Sequence, residues 1–529
     1  MAALKYYLAG DAYFHRVFIH CFSQQFWQGD IYPRWSMDVN AGLGAPIFIF
    51  YPPLPYFITA LLYPLKYLGA SPYVIYEIGI FLATLTGAFA CYSWLKDIVS
   101  PSRAFIATTF FLFVPYRMEV MFFRADYAEL WAISWLPLLF KYLRLAAKEE
   151  RKAMTPMAIV FALLLLSHPQ CALAAIIGSW LYMVIVSGKS WRRPMLNYAM
   201  SLLWGISMAA FYLIPAAYYS RFVLPVSNWS VGYLDMDHIK RQFIWVLIPL
   251  NILVLSIFCI RILRKYSVIE DKFMQSEIKA WVIIFIAMLF LALPIAKPLY
   301  DFSPFLVRVV FPWRMQSIFV LCLPFMIAVW IQYFISDKYM KTWKADYFVL
   351  IASLILVSYM AFSINNHDEE LLEKFLNASY ISQEEYFTIW ARHDEHKDKC
   401  ILSPCENKNN IPSIKIISGG GSALITHWDW RGIILQTDSN KEMTLRLDHY
   451  WFPTWHAAMD SGQIEIFRPD PETGKMLLDI PAGQHSIYLK HSIYSGHQWM
   501  ILANIISILA VLFWLLKVVP NYKLGNMLS

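Results

Sequence analysis

Residues 114–147 read VPYRMEVMFFRADYAELWAISWLPLLFKYLRLAA, and the passage from charge to hydrocarbon within them decides the fold. Arg124, Asp126 and Glu129 stand at the mouth of an apolar run from 127 to 147. At 1.5 Å per residue such a run makes about 30 Å of helix, the thickness of a bilayer's hydrocarbon core. A charged side chain there costs a few kcal/mol, roughly 2.5 to 3.5 at the helix centre. An arginine and two carboxylates at one helix mouth therefore call for a partner, a water-filled cavity or a task.

The rest of the 529-residue chain repeats the apolar pattern: 58% of positions are hydrophobic, 17% aromatic and only 15% charged, against about 25% charged in a soluble domain. Apolar runs of spanning or near-spanning length recur at 72–96, 103–117, 127–147, 153–167, 170–187, 195–218, 243–262, 279–296, 316–336, 346–364 and 498–518. These predict a mainly α, polytopic membrane helix bundle of about eleven spans.

The net charge of +7 does not point to nucleic acid, because the basic residues fall in short clusters between spans. Lys148, Arg151 and Lys152, then Lys189, Arg192 and Arg193, then Arg261, Arg264 and Lys265, then Lys338, Lys341 and Lys344 all lie on one side if the spans alternate. That side is cytoplasmic by the positive-inside rule. Residues 1–71, 117–126, the Ser167 to Gln170 turn, 219–242, 297–315 and 365–497 are then extracytoplasmic. The expected location is the bacterial inner (cytoplasmic) membrane.

Within the first outer loop, 12–28 (AYFHRVFIHCFSQQFWQ) sets Phe14, Phe18, Cys21, Phe22 and Phe26 on one helical face, the pattern of a helix lying on the membrane surface. FIFYPPLPYFITALLYPLKYLG follows. Pro52, Pro53 and Pro55 forbid a regular helix before about Leu54, so it reads as a surface or re-entrant helix. No span precedes Asp11, although the charge pattern puts this loop outside; a first span upstream is therefore expected. The domains are then 1–71 (outer loop), 72–364 (transmembrane), 365–497 (extracytoplasmic, β-rich) and 498–529 (last helix and cytoplasmic tail). In the third of these, IKIIS, ALITHWDW, GIILQT, TLRLDHYW, IEIFRP and HSIYLKHS alternate with period two, which predicts a β-sandwich-like domain behind the solvated linker HDEHKDKC.

Of the seven cysteines, Cys21, Cys91, Cys171, Cys259 and Cys322 are isolated and read as small apolar packing residues. Cys400 and Cys405 flank ILSP on the outer side, where a local disulfide is the expectation in an oxidising compartment. No second ligand pair of zinc-like spacing accompanies them.

Ionisable residues gather on three outer loops: GDAYFHR (Asp11, His15, Arg16), FRADYAEL (Arg124, Asp126, Glu129) and FPWRMQ (Arg314). Each has a plain structural reading. Asp126 suits a helix N-cap, His168 in LLLLSHPQCALA suits a turn cap or a lipid-head contact, and Arg314 suits a snorkelling arginine in an aromatic belt. The guanidinium fork also matches a phosphate. GxGxxG, GxxxxGK, HExxH and GxSxG are all missing from the sequence, so nucleotide cradles and common hydrolase elbows have no support. Trp428, Trp430, Trp451 and Trp455 offer either a β-domain core or flat faces for a glycan.

The order GDxxFH, GDIYPRW, NAGLGAP, FYPPLPY, FRADYAEL and FPWR resembles the bacterial polytopic family of 6-pyruvoyl-tetrahydropterin synthase-related membrane proteins, close to YfhO-like proteins. The tail WFPTWHAAMDSGQIEIF with DIPAGQHSIYLKH resembles the β domain of that group, with Ser461 interrupting its Asp-Gly pair. Both families resemble the GT-C glycosyltransferases.

That resemblance implies transfer of a sugar from a polyprenyl-phosphate donor to an envelope glycan, glycolipid or protein acceptor at the outer face of the membrane. It implies Asp11 as general base with Asp126 and Glu129 as further catalytic acids. His15, Arg16, Arg34, Arg124, His168 and Arg314 would bind the phosphate and substrate. A divalent ion, Mg²⁺ or Mn²⁺, held by Asp126 and Glu129 is open, although two acids make a thin site. The rival readings are a lipid-linked-sugar flippase or transporter, whose path should continue to the inner face, and a non-enzymatic envelope scaffold.

Overall fold

The computed structural model of the chain describes residues 11–223, 256–335, 388–390, 413–494 and 499–525, less scattered positions inside those ranges. In chain order the helices that matter are α1 (Ala12–Trp27), α2 (Leu54–Ala60), α3 (Pro72–Leu95), α4 (Pro101–Leu112), α5 (Tyr127–Ala147), α6 (Met154–Ser167), α7 (Pro169–Val186), α8 (Arg192–Met208), α9 (Ala210–Tyr219), α10 (Lys272–Ala292), α11 (Phe319–Phe334) and α12 (Met500–Gly525).

Among the described residues 5 helices are long and apolar enough to cross a membrane, or up to 7 if each bent pair is one span. The run expected at 153–167 and the described part of 498–518 form shorter apolar helices. Those expected at 243–262 and 346–364 fall almost wholly outside the described residues, as do the linker and the Cys400–Cys405 pair. Both bends have chemical causes. Pro115 forces Val114 to an extended ψ of 129°, and Pro101–Leu112 meets Pro115–Phe122 at 48°. Arg192–Met208 meets Ala210–Phe222 at 70°, just ahead of Pro215.

Helix α1 corrects the surface-helix expectation. It is buried within the bundle, with Phe18 and Phe22 enclosed by Phe48, Tyr56 and Phe57 in edge-to-face contacts such as Phe22–Phe48 at 4.8 Å and Phe22–Phe57 at 5.0 Å. Its other faces bury His15 and His20, so the aromatic stripe was only part of an apolar environment on several sides. Cys21, expected to be isolated, is disulfide-bonded, whereas Cys91, Cys171 and Cys322 are buried as expected. The chain between Ile47 and Leu68 breaks into short helices beginning at Ile47, Leu54 and Tyr63; the four-residue turn Ile47–Phe50 precedes the expected start at Leu54 and ends before Pro52.

At the far end of α5, Arg144 Nε lies 3.0 Å from both oxygens of the buried Glu277, and Tyr182 donates to the same carboxylate at 2.6 Å. A buried arginine and carboxylate satisfied in this way hold α5, α7 and α10 together.

The C-terminal domain has nine strands, β1 (Ile414–Ser418), β2 (Ser422–Asp429), β3 (Gly432–Ser439), β4 (Met443–Tyr450), β5 (Trp455–Met459), β6 (Gly462–Gln463), β7 (Phe467–Pro469), β8 (Lys475–Ile480) and β9 (Gly483–His491), in two antiparallel sheets of order β1-β4-β8-β7 and β2-β3-β9-β5-β6. Alternate residues of both enter one buried cluster, including Leu445, Leu447, Met476 and Leu478 from one sheet and Ile433, Leu435, Ile487 and Leu489 from the other. The same cluster takes in Trp35, Met37, Leu43 and Ile49 from the first loop and Tyr219 from α9, so this domain is docked on the helical part. At the junction, His449 Nδ1 bonds the carbonyl of Gly42 at 2.8 Å and its Nε2 accepts the Trp35 indole N–H at 3.0 Å. Gly44 makes this close approach possible. It has φ +75°, and a Cβ there would meet His449 Cε1 at 2.4 Å.

Candidate functional site

The site grows from the mouth of α5. After a π turn over Glu119–Phe123, Ala125 adopts φ 53°, a left-handed conformation that costs a non-glycine residue on the order of 1 to 3 kcal/mol. Asp126 then caps α5 as expected, its Oδ1 accepting the Glu129 N–H at 2.9 Å. The cap does not exhaust the aspartate. Arg124 Nη2 folds back to 3.1 Å from Asp126 Oδ2 and 2.6 Å from Glu129 Oε2, while the Tyr116 hydroxyl donates to Glu129 Oε1 at 2.5 Å.

Distant segments converge on the same carboxylates. His168 caps α7 through Nδ1, which accepts the Cys171 N–H at 3.0 Å, and presents Nε2 at 3.8 Å from Asp126 Oδ2. It is buried beside Asp126. Arg314 sits in the turn Pro312–Ile318 with Nη2 3.9 Å from Asp126 Oδ2 and Nε 3.8 Å from Glu129 Oε2. It faces the carboxylates and is not snorkelling. Beside Asp126, the Tyr127 N–H donates to His15 Nε2 at 3.1 Å, and His15 Nδ1 bonds the Tyr56 hydroxyl at 2.8 Å. The backbone N–H of Asp11 donates to the carbonyl of Arg124 at 2.7 Å, and Asp11 is exposed. The first loop, the α5 mouth, the α6–α7 turn and the 311–318 turn thus meet at one place.

The charges nearly balance. Burial works against the Asp126 carboxylate, but His168, Arg124 and Arg314 outweigh it and hold the group below the usual aspartate range. Burial lowers His168 to about 4, helped by Arg314 and opposed by Asp126. The imidazole is therefore neutral at pH 7, and because Nδ1 accepts a hydrogen bond the proton sits on Nε2, facing Asp126.

This bears on a metal. One ligand atom from each of Asp126, Glu129 and His168 lies within 4.8 Å of the others. The donor set does not fit an ion. The carboxylate oxygens that face the cluster, Asp126 Oδ2 and Glu129 Oε2, already face two guanidiniums, and the nearest histidine nitrogen carries a proton in place of a lone pair. The cations of the site are arginines.

The two arginines differ in availability. Arg124 is committed to both carboxylates and to Tyr116. Arg314 donates only at 3.3 Å, to the carbonyl of Val309, and its buried Nε has no hydrogen-bond partner among the described residues. Both polar atoms of the Gln316 side chain, two residues on, are in the same condition. A buried guanidinium N–H beside two carboxylates could be satisfied by an oxygen of a polar ligand.

Two expected members lie elsewhere. Arg16 stacks on Tyr73 at 4.0 Å. Arg34 donates to the carbonyl of Phe211 at 3.1 Å and lies over the Tyr32 ring at 4.0 Å, near the opposite end of α1. Tyr116, Tyr56 and Gln316 were not picked out from sequence. Tyr116 precedes Glu129 by thirteen residues across a π turn, and no helical spacing connects them; only a polar tip inside an apolar segment could have drawn attention to it. In the β domain Trp455 is core, Trp428 packs on His449 at 4.9 Å, Trp451 on Trp390 at 4.6 Å, and Trp430 lines a cavity.

A sequence model of the 6-pyruvoyl-tetrahydropterin synthase related domain, described as a membrane protein, matches residues 48–366. That range contains Tyr116, Arg124, Asp126, Glu129, His168 and Arg314; Asp11, His15 and the β domain lie beyond it. No curated protein matches the chain.

Proposed function

We propose that this chain, which belongs to the 6-pyruvoyl-tetrahydropterin synthase related family of membrane proteins, is a transferase that moves a sugar from a polyprenyl-phosphate donor to an envelope acceptor at the extracytoplasmic face. The observation that carries this reading is Arg314, a partly buried cation whose Nε–H has no hydrogen-bond partner among the described residues, beside two carboxylates and at a point where an exposed aspartate also arrives. A cation with unused donors suits a phosphate, which can accept a pair of charge-assisted hydrogen bonds.

The chemistry follows from the charges. The acceptor hydroxyl attacks the anomeric carbon, its oxygen forms the new glycosidic bond, and its proton passes to the Asp11 carboxylate. The bond from the anomeric carbon to the phosphate oxygen breaks, and polyprenyl phosphate leaves with the electron pair. Arg314 stabilises the charge growing on that leaving group. Asp126 and Glu129 are engaged by Arg124 and Tyr116 and therefore act by holding the arginines in place; neither is free to take a proton. No metal enters these steps.

The test uses the full-length protein reconstituted in vesicles, with a labelled polyprenyl-phosphate sugar and an envelope extract as acceptor. Asp11→Asn and Arg314→Gln should insert normally and lose transfer of label. Full activity in both variants would remove them from the mechanism. In the same vesicles, passage of the labelled lipid across the bilayer without acceptor modification would instead identify a transporter.

A further inference from the structure

We propose that the cavity at the C-terminal end of α1 is a binding site for a lipid with an anionic headgroup, distinct from the carboxylate cluster near the other end of that helix. The cavity holds about 1030 Å³ between the 29–37 loop, the α8–α9 bend, the end of β9 and α12. That is the upper end of the size range of small-molecule sites, about 300 to 1,000 Å³. His15 and Gln25, at the two sites, are ten residues apart on α1, which is about 15 Å along the helix axis.

The cavity is polar at one side and apolar at the other. Arg34, Arg431 and Lys490 supply cations against a single carboxylate, Asp30. Asp30 is already held by the Gln25 amide at 2.8 Å and the Tyr32 N–H at 3.2 Å. Arg34 is only 7% exposed. Its Nη2 bonds the carbonyl of Phe211, which is free because Pro215, four residues on, has no N–H to offer. Its Nη1 is buried without a hydrogen-bond partner among the described residues, and so is Nε2 of His491 on the same wall. Leaving a charged donor buried and unpaired is expensive, and an anionic oxygen would remove that cost.

Opposite these groups stand Met208, Phe211, Ile508, Val511 and Leu512. Ile508 is 57% and Leu512 47% exposed on an apolar helix, where acyl chains would lie against them. Trp430 and Tyr494 also line the cavity, as aromatic residues do at the level of lipid headgroups. A soluble anion would use only the cationic side and a neutral lipid only the apolar one. An anionic lipid uses both, and a zwitterionic head would carry its own cation toward Arg34.

Photocrosslinking of the full-length protein in nanodiscs tests this, with diazirine-tagged phosphatidic acid, phosphatidylcholine and diacylglycerol as probes. Phosphatidic acid should label the peptides that carry Phe211 and Ile508 at least ten-fold more than the other two. The exposed pair Arg431→Gln and Lys490→Gln should cut that labelling at least five-fold with an unchanged melting curve, and Arg34→Gln should cut it further. Inorganic phosphate in the millimolar range should not protect these peptides. Equal labelling by the probes, parental labelling in the double variant, or full protection by inorganic phosphate would each overturn the proposal. Sugar transfer does not enter the readout, so this result and the failure of the transferase reading are separable.

Discussion

Arg124 Nη2 lies 2.6 Å from Glu129 Oε2, so the fully buried carboxylate at the mouth of α5 is neutralised by a guanidinium five residues earlier in the chain. The left-handed Ala125 between them lets the arginine turn back over the first turn of the helix it precedes. Much of the behaviour of the site follows from this contact.

Removing one member of a buried pair strands the other, at a cost of about 3 to 5 kcal/mol. Arg124→Gln or Glu129→Gln should therefore lower the melting temperature of the detergent-solubilised protein clearly. The double replacement Arg124→Met with Glu129→Met should restore most of the loss. Single variants that melt like the parent would mean that the pair contributes nothing to the fold.

Asp11 should behave in the opposite way. It is exposed and reaches the site through its backbone N–H, which Asp11→Asn retains. Stability should change little, while transfer should fall roughly 10²- to 10⁴-fold, the usual contribution of a general base. Thermal melting and the transfer assay, run on one preparation, separate the two effects.

Gly44→Ala should loosen the docking of the β domain. The substitution strains a φ of +75° and drives a methyl group into His449 and Trp35. Gly69→Ala is the control, because it has φ +89° with nothing within 4 Å of its Cβ. A left-handed alanine alone costs roughly 1 to 2 kcal/mol. Limited proteolysis should release the β domain from the Gly44 variant much sooner than from the Gly69 variant, and equal rates would contradict the clash.

Acid should loosen the same junction. Burial lowers His449 to about 4 against the pull of its bond to Gly42, and burial lowers His491, whose ring lies 5.5 Å from that of Trp35, to about 3. Both are neutral when docked, and protonation would place a hydrogen on His449 Nε2 against the Trp35 indole N–H. A histidine with a folded value below its free value of about 6.5 contributes stability that is complete above that pH and is lost as pH falls toward the folded value. For His449 the separation corresponds to roughly 3 kcal/mol at most. The protection factors of the amides of 443–450, taken relative to the intrinsic exchange rate at each pH, should fall between about pH 6.5 and 4, and the effect should weaken in His449→Gln.

Much of this was legible from one dimension. The membrane character, the helix start at Leu54 behind Pro52 and Pro53, the Asp126 cap and the β-strands of the tail each rest on residues close in the sequence, where periodicity and backbone chemistry act locally. Other features were not. The burial of α1 depends on what surrounds it, since an aromatic stripe looks the same facing lipid or facing Phe48 and Phe57. The separation of Arg34 from Arg124 and Arg314 could not be foreseen, because each is simply an arginine in a loop until the helix between them sets the distance.

The order of residues by itself determined that this chain is a membrane protein with charge gathered at the mouths of its helices, because the cost of placing charge in hydrocarbon depends on local composition. Only the tertiary structure decided which charges are spent and which remain available. Arg124 is consumed by Glu129, whereas Arg314 and Arg34 each keep a buried N–H without a hydrogen-bond partner among the described residues. Pairing depends on distances of a few ångströms between segments far apart in the chain, and only packing sets those distances.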